Sequence, residues 1–156
     1  MAMGYFLVTQ FEMFRDRLLK LVQSTSETVA DQMPKGFNNT IRWNVGHILT
    51  VTDIFFGLKR TPGNYKELFW AGTKPADWTG EVPSLETLAS QLEEQTAQIK
   101  ETFANCLEEK LEKPIQFPNG FQIETIGAVF SFINAHEGLH AGYINALKRT
   151  IEGQSE

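Results

Sequence analysis

Apolar residues recur along this chain at spacings of three and four, the period of amphipathic helices, in four separate stretches. In the first, Leu7, Phe11, Phe14, Leu18, Leu21, Thr25 and Val29 share one face, while Asp16, Arg17, Lys20 and Gln23 fall off it. Pro34 and Gly36 end that stretch. The second begins after "KGFNN" with Asn39 or Thr40 as N-cap, and its face is Trp43, His47, Val51, Ile54 and Leu58. Lys59 and Arg60 suit its last turn, and "TPG" at 61–63 stops it. The third opens at Pro83-Ser84 and carries Leu85, Leu88, Leu92, Thr96, Ile99, Phe103 and Leu107. The fourth starts near Glu124 or Thr125 and runs to about Ile151. Its face is Ile126, Val129, Ile133, His136, His140, Tyr143 or Ile144, and Leu147.

Between the second and third stretches lies a long connection, 61–83, with three prolines and the aromatics Tyr65, Phe69, Trp70 and Trp78. Its length marks it as functional or disordered, and its aromatic content as packed down. No stretch reads as a strand, "NG" at 119–120 with Pro114 and Pro118 marking only a connection. The expectation is an all-α, antiparallel four-helix bundle with a long ordered connection between helices 2 and 3. Its 156 residues form one domain, 1–156.

Charge narrows the partners. A net charge of −5 with no basic run excludes a phosphate-tracking surface, so no nucleic acid is expected. No apolar run reaches the roughly 18 residues of a membrane span. The N-terminus lacks a basic region and a small-residue cleavage pattern, so a cytoplasmic location is expected. The single cysteine, Cys106, excludes an internal disulfide and reads as a helix residue of no special reactivity.

The candidate chemistry lies in "HEGLH", residues 136–140. His136 and His140 fall on one helix face with Cβ atoms roughly 5–6 Å apart, which suits two ligands of one ion. The pattern matches the zinc signature of helical metalloproteases. Such a protease needs a third ligand downstream, and the only carboxylates that follow His140 in the sequence are Glu152 and Glu156. Glu152 would stand about 18 Å further along the helix. The third ligand must therefore come from another helix, and His47 is the one remaining histidine. All three then occupy inward faces, where unpaired imidazoles cost desolvation energy and one divalent ion satisfies them together. Three neutral imidazoles leave an ion with open positions for substrate.

Other residues near this set have weaker claims. Glu137 points about 100° around the helix from His136, as a support for a ligating imidazole or, the preferred reading, at the surface or an interface. Asn44 and Asn134 could orient water or ligand, or simply join helices. Trp43 could wall a pocket or fill the core. Tyr143 could bring its hydroxyl to the ion or end in solvent. Glu137, Asn44 and Tyr143 are the weak catalytic candidates.

"NNTIRWNVGHILTV", "TIGAVFSFINAHE" and "HEGLHAGYI" together resemble the DinB-like (DinB/YfiT-type) superfamily over nearly the whole chain. The resemblance implies a three-histidine site at His47, His136 and His140 for Zn²⁺, Ni²⁺ or a similar ion, often in a homodimer. It also implies either a metal-dependent enzyme acting on a small molecule or a non-catalytic metal-binding, stress-response module. The enzymes transfer a low-molecular-weight thiol such as bacillithiol, or use mycothiol, and hydrolase chemistry is the other open course. Tyr143 stands where many members carry Gln.

A homodimer also follows from the pattern itself. Ile48, Leu49, Val51, Ile54, Phe55 and Phe56 spread around the second helix, and Ile126, Val129, Phe130, Phe132 and Ile133 around the fourth. One core should not absorb both sides of both helices, so the excess is expected to face the long connection or a partner chain.

Overall fold

Hydroxyl side chains divide the first apolar stretch into two helices. α1 covers Ala2–Gln23 and the short α2 covers Glu27–Ala30. At the break the Ser24 and Thr25 hydroxyls both donate to the Leu21 carbonyl, at 3.1 and 2.7 Å, and Ser26 then caps α2 by accepting from the Val29 N–H. Side chains that compete for helix carbonyls favour such ends. The single predicted helix thus becomes two in this computed structural model, which describes residues 2–153.

α3 covers Ile41–Phe55, with the Thr40 hydroxyl accepting from the Trp43 N–H at 3.2 Å. It ends before the expected "TPG". Gly57 takes φ +65°, and the Leu58 N–H reaches back to the Asp53 carbonyl at 3.0 Å. This is a Schellman closure, in which glycine spares the strain of the left-handed backbone. The Asp53 carboxylate then accepts from the Arg60 N–H and the Thr61 hydroxyl, fastening the start of the connection.

The connection carries α4, Tyr65–Phe69, and a 3₁₀ turn at Pro75–Asp77. Tyr65, Leu68 and Phe69 are buried, and Trp70 and Trp78 are half-buried. α5 covers Leu85–Phe103, capped by Ser84, and α6 covers Ile126–Gly153. The four long helices meet in a common core: α1 and α3 each pack against both α5 and α6.

The all-α expectation needs correction. β1, Lys110–Gln116, pairs antiparallel with β2, Gln122–Thr125, pairing Ile115 with Ile123 and Gln116 with Gln122. The chain is mostly helical, with six helices and this small sheet among the described residues. Alternation is poorly visible in "KLEKPIQ" because Lys113 interrupts the Leu111–Ile115 face and the register shifts between Lys110 and Ile115. The hairpin is nonetheless anchored, since Ile123 is buried and Phe117 packs against Phe55 and Phe132.

These additions change the argument about excess apolar surface. Every residue of α3 from Ile41 to Asp53 is buried within one chain. α4 and the neighbouring long helices provide the cover, and the hairpin shields Phe55. Ile54 is left as the exposed large apolar residue of α3.

Candidate metal centre

α3 brings His47, and consecutive turns of α6 bring His136 and His140, to one place between the helices. One ring nitrogen of each lies within 4.8 Å of the others. His47 is buried and its ring lies flat against the Trp43 indole, with centroids 4.6 Å apart and planes at 11°.

Hydrogen bonds decide which nitrogens face inward. His47 Nδ1 stands 2.7 Å from the Phe69 carbonyl oxygen, which can only accept. The proton is therefore on Nδ1 and the Nε2 lone pair is free. His140 Nδ1 stands 2.8 Å from Asn44 Oδ1. Asn44 Nδ2 donates to the Thr40 carbonyl at 2.8 Å, which orients the amide so that Oδ1 accepts from His140. His140 Nε2 is then also unprotonated.

His136 completes the set. Its Nε2 lies 3.1 Å from His47 Nε2, while its buried Nδ1 has no partner. In either neutral tautomer this imidazole leaves a polar atom unsatisfied without further contacts. Nitrogens at 2.0–2.1 Å from a tetrahedral zinc stand about 3.3 Å from one another, close to the 3.1 Å between His47 Nε2 and His136 Nε2, and the whole set lies within 4.8 Å. Three imidazoles with lone pairs converging in this way fit a divalent ion.

The electrostatics agree with that fit. Burial pushes His136 down to about 3, with His140 and His47 adding repulsion between charges. Burial, and then His47, pushes His140 down to about 4. Burial also lowers His47, opposed by its bond to Phe69. All three are neutral near pH 7, the form that ligates.

The model of the DinB superfamily matches residues 10–144, which spans all three histidines. The chain belongs to the DinB superfamily. A comparison with curated proteins gives no match. Among solved structures, a conserved protein from Enterococcus faecalis is similar at 16% sequence identity, with a TM-score of 0.65, over 95% of this chain and 96% of that one. That likeness concerns the fold.

Other residues of this DinB-superfamily chain divide clearly. Asn44 joins the centre through His140. Tyr143 does not bond an imidazole: its hydroxyl accepts from the Asn38 N–H at 3.2 Å, and its ring meets Phe37 edge-on. It borders an open cavity of about 500 Å³ shared with Asn39, Trp43, Asn44, Leu139 and His140. Asn134 turns away and donates to the Leu7 carbonyl and the Gln10 side chain on α1. Cys106 is half-buried near the end of α5, its thiol directed at the Thr102 and Phe103 carbonyls and its pKa raised by burial and Glu109.

The surface reading of Glu137 is wrong. Its side chain is fully buried and held by Arg15, Nε to Oε1 at 2.7 Å and Nη2 to Oε2 at 3.0 Å. A helix rotation of about 100° per residue carries it from the histidine face into the core. Arg15 was invisible as its partner because a charged residue beside Asp16 and Arg17 reads as solvated. Phe69 was missed because its contribution is a backbone oxygen. Its neighbour in space, Gly46, is the sequence signal that could have found it.

Proposed function

We propose that this chain is a divalent-metal-dependent enzyme that activates a small nucleophile against an electrophile held beside His140. The observation that carries the reading is the tying of His47 Nδ1 and His140 Nδ1 to oxygen acceptors, which leaves both Nε2 atoms unprotonated in a cluster where one nitrogen of each of the three rings lies within 4.8 Å of the others. Supports of this kind hold ligating histidines in one tautomer and orientation. The ion would sit on His47, His136 and His140, with Zn²⁺ or Ni²⁺ matching imidazole donors. Such an ion supplies positive charge that lowers the pKa of a thiol or water beside it.

Thiol transfer is favoured over hydrolysis by the position of Glu137. The carboxylate adjacent in sequence to the ligands, the one a helical hydrolase would use as base, is committed to Arg15. A low-molecular-weight thiol, with an ordinary pKa of about 8.5, needs less help to ionise than water. It would release its proton to solvent, and its sulfur would bond to the electrophilic carbon as that carbon's bond to its leaving group breaks, the leaving group departing with the electron pair. The cavity beside His140 suits a small uncharged electrophile, since Trp43 and Leu139 give it apolar walls and Asn39, Asn44 and Tyr143 give it neutral polar edges.

The long helices are proposed to form an antiparallel bundle, and two copies to form a homodimer. Ile54 on α3, Leu139 on α6 and Phe121 beside Phe117 leave apolar surface exposed on the elements around the histidines, which supports that assembly.

The test is conjugation of small thiols to uncharged electrophiles by metal-loaded protein, with and without chelator. Chelator-sensitive, saturable conjugation is expected. Metal-loaded protein without conjugating or hydrolytic activity would leave a binding module instead.

A further inference from the structure

A continuous buried hydrogen-bonded bridge links the two helices that carry the histidines. It starts at Glu137 on α6, the residue after His136. The Arg15 guanidinium on α1 grips that carboxylate with two nitrogens. Its third nitrogen, Nη1, donates to Gln95 Oε1 on α5 at 3.0 Å and to the Leu92 carbonyl at 3.3 Å. Gln95 Nε2 then donates to the Leu49 carbonyl on α3 at 3.0 Å. Leu49 lies two residues beyond His47. Arg15, Gln95 and Glu137 are exposed by 1%, 5% and 0% respectively, so water does not loosen the chain of bonds.

We infer that the Glu137–Arg15–Gln95 bridge is a positioning element that sets the spacing of His47 against His136. The inference rests on the metal-centre reading above. Stability alone is a poor account of the bridge, because a buried ion pair often gives way to apolar residues at little or no cost. Its geometry gives a better one. The planar guanidinium fixes the direction of three donors at once. It thereby fixes the rotation of α6 at Glu137 and, through the Gln95 amide, the distance to α3 at Leu49. Both anchor points lie within one turn of a ligand. A small displacement at either would be felt directly in a nitrogen separation of 3.1 Å. The Phe11 ring under the guanidinium, 5.0 Å from its carbon, further restricts the arginine. Arg15, Gln95 and Glu137 are thus positioning residues and touch no reacting atom.

The experiment compares wild-type protein with the Arg15→Met/Glu137→Leu double variant and with Gln95→Met. The double variant removes both charges and retains apolar volume. Gln95→Met keeps the ion pair and cuts the link to α3. Zn²⁺ affinity is measured by chelator competition, the visible absorption of Co²⁺-loaded protein reports ligand geometry, and melting of the metal-free proteins reports the fold. The expected result is metal-free melting close to wild type or above it for the double variant, at least tenfold weaker Zn²⁺ binding, and an altered Co²⁺ spectrum. Gln95→Met should move affinity and spectrum in the same direction by less, and it decides the matter alone if the double variant does not fold. Folded variants with wild-type affinity and an unchanged Co²⁺ spectrum would overturn the inference while leaving the metal centre standing. Wild-type protein that takes up neither ion would overturn both.

Discussion

The Nδ1 proton of His47 is held by the backbone oxygen of Phe69, 2.7 Å away. A residue of the long connection therefore selects the tautomer of a residue on α3. Gly46 makes the approach possible, because a Cβ there would stand 2.5 Å from three atoms of the Phe69 ring. The connection is in this sense part of the histidine site, in addition to covering α3.

Gly46→Ala should therefore strike both stability and the site. The Phe69 ring is fully buried and has little room to retreat. Overpacking of this kind costs about 1–3 kcal/mol. Calorimetry should show a lower melting temperature, and metal titration a weaker site, because the Phe69 carbonyl moves with its ring. An alanine variant with wild-type melting and affinity would contradict the account of the connection.

Asn44→Ala should leave α3 folded and weaken metal binding. Its amide accepts from His140 and donates to the Thr40 carbonyl, so its loss frees the His140 ring to turn. Losing a support of a ligating histidine typically costs about 10–100-fold in affinity. Asn44→Asp, which keeps the acceptor oxygen, should restore much of it. Equal affinities in all three proteins, measured by chelator competition, would count against this role.

The four long helices and the clustering of the three histidines were legible in the sequence because helical periodicity is a local signal. His136 and His140 share a face by spacing alone, and His47 falls on the face of Trp43 and Val51. The hairpin was not legible, since Lys113 and the register shift break its period of two. Glu137 was misplaced for a related reason. Spacing gave the correct rotation away from the histidines, but a charged residue in the core is predictable only when its partner is known. That partner, Arg15, lies 122 positions earlier in the chain. The aromatics of the connection pointed to its packing, and α4 does pack on α3, whereas the contact of Phe117 with Phe55 is one that no periodicity records.

Metal-free protein should lose stability as pH falls below neutrality. Folding lowers His136 to about 3 and His140 to about 4 from an ordinary value of 6.5. Between those values the unfolded chain binds more protons than the folded one, so stability rises with pH through the window. The contribution is complete above about 6.5 and is progressively lost toward pH 3–4. Denaturant unfolding across this range, with chelator present, should show that slope, and His136→Leu should flatten it. An identical slope in the variant would show that other groups cause it.

The proposed homodimer should appear as a species of about twice the 17.7 kDa chain mass in sedimentation at micromolar concentration. Leu139→Lys, on an exposed position of α6, should shift it toward monomer without unfolding it. Wild-type protein that sediments as a monomer would remove the assembly from the account.

The most direct measurement is the metal content of purified protein and of its three single histidine variants. The account predicts about one divalent ion per chain in the wild type, and its loss in His47→Ala, His136→Ala and His140→Ala alike, with each variant still helical by circular dichroism. Full metal retention by folded His47→Ala, or metal-free wild-type protein that takes up neither Zn²⁺ nor Ni²⁺, would contradict it.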